Sequence, residues 1–288
     1  MILPKDIALI LNILRGKHQH CNKLKTINPK QNSAEFAIIL FVVLIILNHF
    51  LSGLIQAYNP ALGLLFSQLF IILLPALLFI GKNEFKSLIS QHRRKTLSGF
   101  IVVVAAAVPM YIITTFLFWI LSFISSSHSI DVSKYSELLK IENSNIVLII
   151  LLYAVVPAIC EEILFRGYFL KVFRKYGIIT ALIFPALMFG VFHFQYIKVL
   201  PVFISGIWLG FLAIKTKNII LPIAAHFLHN FIVILSVNFK EYDPAFSMVN
   251  QQGHYKIYYI VSALFIMFVL TKLILKMNLL TSSKDDFT

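Results

Sequence analysis

Three short stretches of an otherwise apolar sequence carry side chains that could do chemistry. These side chains are carboxylates, a guanidinium, imidazoles and an amide: Glu161, Glu162, Arg166, His193, His226 and Asn230. A charge at the centre of a bilayer costs roughly 2.5–3.5 kcal/mol on insertion scales. Ionisable groups inside apolar segments are therefore the first place to look for function.

The acidic stretch separates into a structural part and a reactive part. Glu162 and Arg166 are four residues apart, so on a helix they share one face and can form an ion pair. Glu161 lies about 100° around the helix from Glu162 and has no partner within its own helix. An unpaired buried carboxylate either takes up a proton or finds a cation elsewhere. We interpret Glu162–Arg166 as a buried ion pair and Glu161 as a functional group.

The imidazoles lie on two further apolar stretches. His226 and Asn230 are four residues apart and share a helix face, whereas His193 belongs to a different stretch. If the three helices converge, these groups and Glu161 can surround one polar cavity. His229 lies about 60° to the other side of His226, and we interpret it as peripheral.

Two kinds of chemistry fit this set of side chains. Glu161, His193 and His226 could hold zinc or another divalent metal with one position open for water. Without a metal, Glu161 could act as general base and His193 could orient the water. His226 and Asn230 would then bind the oxyanion. Both routes end in peptide-bond hydrolysis, and the sequence does not choose between them.

The composition identifies the environment of these groups. Of the 288 residues, 59% are hydrophobic and only 13% are charged, whereas a soluble domain carries about 25% charged residues. Soluble globular and disordered proteins are therefore excluded. The net charge of +13 fits basic cytoplasmic loops better than a nucleic-acid site. Two cysteines, Cys21 and Cys160, cannot form a disulfide framework.

Eight segments are apolar enough to be candidate transmembrane helices. They are 36–57, 61–80, 99–124, 146–170, 178–196, 199–214, 219–238 and 257–275. The fifth and sixth are separated by a short turn at Tyr196–Lys198. We therefore predict an all-α, polytopic transmembrane bundle of about eight spans.

Basic residues predict the orientation of this bundle. Nineteen Lys and Arg residues lie in the connections and termini of one side, and five lie on the other. This asymmetry predicts that both termini are cytoplasmic. The expected parts are a basic amphipathic segment at 1–34, a bundle at 35–276 and a polar tail at 277–288. The first segment fits a helix on the membrane surface or one packed on the protein.

The depth of His193 requires a local deviation from straight helices. With a rise of 1.5 Å per residue along straight helices, His193 would lie about 10 Å deeper in the membrane than Glu161 and His226. A kink or break near Phe184–Pro185 would bring the three groups to one level. We therefore predict such a kink or break, and a cavity that opens toward the cytoplasm.

Two weaker features have structural interpretations. Gly206 and Gly210 form a GxxxG pattern that permits close helix packing. Cys160 adjoins Glu161, and we interpret it as a small apolar filler rather than a nucleophile.

Taken in order, the polar stretches resemble the motifs of a known family. Glu161-Glu162-x-x-x-Arg166, Phe189-x-x-x-His193 and His226-x-x-x-Asn230 are similar to the three motifs of the CPBP intramembrane proteases, also called the Abi or CAAX-protease family. The stretch from Gly206 to His226 is similar to the usual lead-in of the third motif. The resemblance covers about residues 145–240, which would form the protease core.

The resemblance implies roles for the individual side chains. Glu161 and His193 would activate water, and His226 and Asn230 would bind the oxyanion or a metal. Glu162 and Arg166 match positions that shape the site. Many bacterial members are linked to peptide maturation or bacteriocin self-immunity. Prenylated CAAX proteins are a eukaryotic substrate, so the resemblance does not by itself imply that activity.

We therefore expect an endopeptidase that cleaves a membrane-associated protein or peptide within a bacterial cell membrane. Its expected partners are this substrate and membrane lipid, with no nucleic acid. One alternative is a transporter that uses the Glu and His residues as a proton relay, although no inverted repeat supports it. The other is a non-catalytic scaffold or bacteriocin-immunity protein.

Overall fold

The computed structural model describes residues 33–81, 85, 96–125, 145–239 and 257–276. The described residues form eight apolar helices. These are α1 (Ala34–Tyr58), α2 (Pro60–Ile80), α3 (Thr96–Ser125), α4 (Ile146–Arg174), α5 (Ile178–Val191), α6 (Tyr196–Thr216), α7 (Ile220–Asn238) and α8 (Ile257–Lys276). The polar tail, nearly all of the N-terminal segment and most of the 81–98 loop lie outside the described residues.

Seven of these helices are long and apolar enough to cross a membrane. Large apolar side chains point outward from them, for example Ile39 on α1 and Phe265 on α8. Such exposure suits contact with lipid and not with water. The predicted polytopic helical bundle is confirmed, while the orientation of the termini stays a prediction.

Helix α5 differs from the predicted fifth span. It has 14 residues and is therefore about 21 Å long, shorter than the roughly 30 Å hydrocarbon core. It ends at Val191, and Gln195 caps the start of α6 with extended backbone. The turn between them therefore lies just before the predicted Tyr196–Lys198 turn.

The structure shows no break at Phe184–Pro185, while a kink there stays a prediction. Helix α5 runs through Pro185 without interruption. A proline removes one backbone donor, and a packed membrane helix can tolerate that loss. The chain leaves the helix only after Val191, and Phe194 in the following turn adopts a left-handed conformation with φ 55°. His193 therefore lies on a turn and not within a deep straight helix.

Two prolines are each preceded by a widened, π-helical turn. Ser67–Leu73 in α2 is π-helical and comes just before Pro75. Leu151–Val155 in α4 is π-helical and comes just before Pro157. A proline ring collides with the carbonyl four residues earlier and cannot donate to it. A wider turn relieves this collision, and such turns often occur at functional sites.

The bundle has two main buried apolar clusters. Helices α1, α2, α4 and α5 pack around Phe165 and Phe169. Helices α3, α6, α7 and α8 pack around residues such as Leu212 and Leu221. Helix α4 belongs to the first group and α7 to the second, so their polar side chains meet where the two groups join.

Candidate active site

Glu162 is the centre of a buried ionic network. Its side chain is fully buried, and its Oε1 accepts a hydrogen bond of 2.7 Å from Nη1 of Arg166. The predicted ion pair between these residues is therefore present. The same oxygen lies 2.9 Å from Nδ1 of His226 on α7. Glu162 thus joins α4 to α7.

Arg166 extends the network to α6 and α5. Its Nη2 donates a hydrogen bond of 3.1 Å to the backbone carbonyl of Gly206. Its guanidinium carbon lies 4.6 Å from the centre of the Phe189 ring, in cation–π contact. A Cβ at Gly206 would lie 3.1 Å from Ala186, so a glycine there lets α6 approach α5 closely. The structural interpretation of Gly206 fits this geometry.

Glu161 has a different environment from its neighbour. Its Oε1 accepts a hydrogen bond of 2.8 Å from the amide of Gln68 on α2. Its Oε2 lies 3.8 Å from Nε2 of His226, which is too long for a direct hydrogen bond. Oε2 is buried and has no hydrogen-bond partner among the described residues. Glu161 therefore keeps one oxygen available.

His226 lies between the two carboxylates. A carboxylate can only accept, so Nδ1 of His226 donates its proton to Glu162. This hydrogen bond fixes the ring and directs Nε2 toward Glu161. The helices of the first and third motifs therefore converge as the sequence predicted.

His193 is oriented by its own turn. Its Nδ1 lies 2.9 Å from the carbonyl of Phe189, to which it donates. The other ring nitrogen, Nε2, is then left as an acceptor. The Phe189 ring is in edge-to-face contact with the imidazoles of both His193 and His226, at 5.1 and 5.6 Å between ring centres. One aromatic ring thus holds the two predicted site histidines.

A cavity of about 70 Å³ adjoins these groups. Its wall contains the predicted site residues His193, His226 and Asn230. Glu161 is not among the wall residues, but its Oε2 lies 3.8 Å from Nε2 of His226, which is on the wall. The rest of the wall is largely apolar and comes from α3, α5, α6 and α7, with the residues Val103, Ala106, Ala107, Met110, Phe189, Val202, Leu209 and Ala225.

Three residues of this region were not predicted as site residues from the sequence. Gln68 has no local polar partner that would mark it, and Trp208 reads as an ordinary apolar residue. His229 was interpreted as peripheral, but it lies on the cavity wall. The buried nitrogens Nε1 of Trp208 and Nδ1 of His229 have no hydrogen-bond partner among the described residues. These two cavity residues thus leave polar groups for a bound molecule.

Cys160 is buried in the first apolar cluster. This position fits the interpretation of Cys160 as a filler beside Glu161.

The predicted zinc ligands stay a prediction. In the described part of the chain, no group of three or more His, Cys, Asp or Glu side chains is arranged to hold a metal ion. Nδ1 of His226 bonds to Glu162 and Nδ1 of His193 bonds to a carbonyl. Nε2 of each ring is then the nitrogen that could hold a metal ion, as is usual for a metal-binding histidine.

Comparison with known proteins agrees with the motifs. Residues 143–232 match the family described as type II CAAX prenyl endopeptidase Rce1-like. No curated protein and no solved structure shows a significant match. The fold and the match together define the class as a multi-pass membrane protein with a segment similar to CAAX-type proteases.

The matched segment carries all six site residues predicted from the sequence, and over this segment the resemblance to the CPBP, or CAAX-protease, family is confirmed. Helices α1, α2, α3 and α8 lie outside the matched segment.

Proposed function

We propose that the protein is an intramembrane endopeptidase that uses Glu161 to activate water against a peptide bond. The observation that carries this proposal is the contrast between two adjacent buried carboxylates. Each carboxylate has one buried oxygen without a hydrogen-bond partner among the described residues. Glu162, however, is held by a guanidinium and an imidazole, whereas Glu161 accepts a hydrogen bond only from the uncharged amide of Gln68. A general base needs an available oxygen within reach of the water and must not be committed to an ion pair.

The proposed reaction begins with a water hydrogen-bonded to Oε2 of Glu161. Nε2 of His193 accepts the other proton of this water and thereby orients it. Glu161 removes a proton as the water oxygen attacks the carbonyl carbon of the peptide bond. The carbonyl oxygen becomes an oxyanion, and Glu161 returns the proton to the amide nitrogen as the carbon–nitrogen bond breaks.

His226 and Asn230 are proposed to stabilise the oxyanion. Both lie on the cavity wall. In this step His226 carries protons on both nitrogens, with Nδ1 donating to Glu162 and Nε2 donating to the oxyanion. Donors that are fixed before the reaction stabilise developing charge strongly, because they need not reorient.

The cavity supports a membrane-associated substrate. Its apolar wall suits apolar side chains or a lipid near the scissile bond, while Trp208 and His229 offer nitrogens to backbone carbonyls. The substrate class proposed is therefore an apolar, membrane-associated polypeptide. Prenylated CAAX sequences are one member of this class to be tested.

The test is proteolysis by purified protein in lipid nanodiscs, with a panel of lipidated and unlipidated membrane peptides. Glu161→Gln is expected to lower turnover by about 10²- to 10⁴-fold, because it removes the general base. Glu35→Gln is the matched control, since Glu35 is an exposed carboxylate at the start of α1. Equal turnover by wild type and Glu161→Gln would refute the proposal.

A chelator arm tests the zinc alternative in the same assay. The proposed mechanism predicts unchanged turnover after chelation. Chelator-dependent loss that added zinc restores would replace the glutamate mechanism by a metal mechanism.

A further inference from the structure

Gln68 contacts the proposed base from outside the family-matched segment. It lies on α2, only 4% of its surface is exposed, and its Nε2 donates to Oε1 of Glu161 at 2.8 Å. The match to the protease family begins at residue 143. A polar contact to Glu161 therefore comes from a part of the chain whose sequence had indicated only a membrane span.

The chemistry of this contact fixes which end of the amide faces Glu161. A carboxylate only accepts hydrogen bonds, so the amide nitrogen must point toward it. The carbonyl Oε1 of Gln68 is buried and has no hydrogen-bond partner among the described residues. A buried polar atom without a partner costs about 1–3 kcal/mol. Burial of Gln68 in this position is therefore unfavourable for its carbonyl oxygen, and other contacts must hold the side chain there.

The contact orients Glu161 without neutralising it. Arg166 contributes a full positive charge to Glu162, whereas the amide of Gln68 contributes only a dipole to Glu161. Because Gln68 occupies Oε1, it leaves Oε2 as the oxygen that can accept a proton. A neutral donor of this kind holds a base in place and preserves its charge.

The local structure of α2 places Gln68 at this point. Gln68 is the second residue of the π-helical turn Ser67–Leu73, ahead of Pro75. Ile71 and Ile72 of the same turn are buried in the first apolar cluster. The hydroxyl of Ser67 donates to the side chain of Asn48 on α1. The π-helical turn is therefore held in place by contacts both before and after Gln68.

We propose that Gln68 is a positioning residue that orients the Glu161 carboxylate and leaves Oε2 free for proton transfer. This inference rests on the proposed function, since it gives α2 a part in the reaction. Misplacing a reacting group by about 1 Å can reduce the rate by about 10²-fold.

The first test separates kcat from KM in the substitution Gln68→Met, which keeps the length of the side chain but removes the amide. We expect kcat to fall on the order of 10- to 100-fold, with KM within about twofold of wild type. Gln56→Met is the matched control, since Gln56 is an exposed residue on α1 that bonds to Ser52. An unchanged kcat, or a loss confined to KM or to the folded fraction, would overturn the inference.

The second test does not depend on activity. A double-mutant cycle combines Gln68→Met with Glu161→Met and follows the melting temperature in detergent. Each single variant leaves the other polar group buried without its partner, so the double variant should lose less than the sum of the single losses. Additive losses would show that the two side chains do not interact, and the inference would fail.

The two tests also separate this inference from the proposed function. If wild type cleaves, Glu161→Gln is inactive and Gln68→Met is unaffected, only the role of Gln68 is wrong. If Glu161→Gln cleaves as wild type does, the proposed function is wrong, and with it the catalytic role of Gln68. Coupled melting temperatures would then leave Gln68–Glu161 as a structural contact only.

Discussion

Glu161 and Glu162 are neighbours in sequence, are both buried, and have opposite environments. Glu162 has no exposed surface and bonds through one oxygen to both Arg166 and His226. Glu161 is 7% exposed and accepts one hydrogen bond, from the uncharged amide of Gln68. The first carboxylate connects helices, while the second is oriented but not neutralised.

This difference shows how a membrane protein can keep a reactive carboxylate in an apolar interior. A buried charge that loses its partner is strongly destabilising. The ion pair at Glu162 brings α4, α6 and α7 together, and that assembly places Glu161 beside His226. We propose that stability and reactivity are divided between these adjacent residues.

The largest effect on stability is expected from Arg166→Met. This substitution keeps the apolar stem but leaves Glu162 buried without its cation, which should cost about 3–5 kcal/mol. The measurement is thermal melting in detergent. The double variant Arg166→Met/Glu162→Gln should lose less than the two single losses together. Additive losses would mean that Glu162 and Arg166 are not coupled.

The next largest difference is expected between the two site histidines. His226→Ala should abolish turnover and also lower the melting temperature, because it removes the link from α7 to Glu162. His193→Ala should abolish turnover with little change in melting temperature, since its Nδ1 bonds only to a backbone carbonyl of the same segment. Similar melting losses in both variants would remove this distinction.

A smaller effect is expected from Gly206→Ala. The added methyl would lie 3.1 Å from Ala186 and push α6 away from α5, at a cost of about 1–3 kcal/mol. The shift would also move the Gly206 carbonyl away from Arg166. Gly53→Ala is the matched control, because nothing lies within 4 Å of a Cβ there. Equal melting temperatures in the two variants would contradict the close packing of α5 and α6.

The sequence predicted those features that depend on the spacing of residues along one segment. Runs of about twenty apolar residues located the long helices to within a few residues. The four-residue spacing of Glu162 and Arg166 predicted their ion pair, because such residues share a helix face.

Contacts between distant segments were beyond sequence reasoning. Gln68 is 93 positions from Glu161, and nothing near it in the sequence reveals that contact. The contact of His226 with Glu162 likewise depends on how α7 packs against α4. No break occurs at Pro185, because a packed membrane helix tolerates one missing backbone donor. The chain turns after Val191 instead.

The most direct test of the central claim is the turnover of Glu161→Gln per folded molecule, beside Glu162→Gln in the same nanodisc preparation. We predict that Glu161→Gln melts within a few degrees of wild type and loses about 10²- to 10⁴-fold in turnover. Glu162→Gln should show its main loss in melting temperature. Wild-type turnover by folded Glu161→Gln would contradict the assignment of Glu161 as the base.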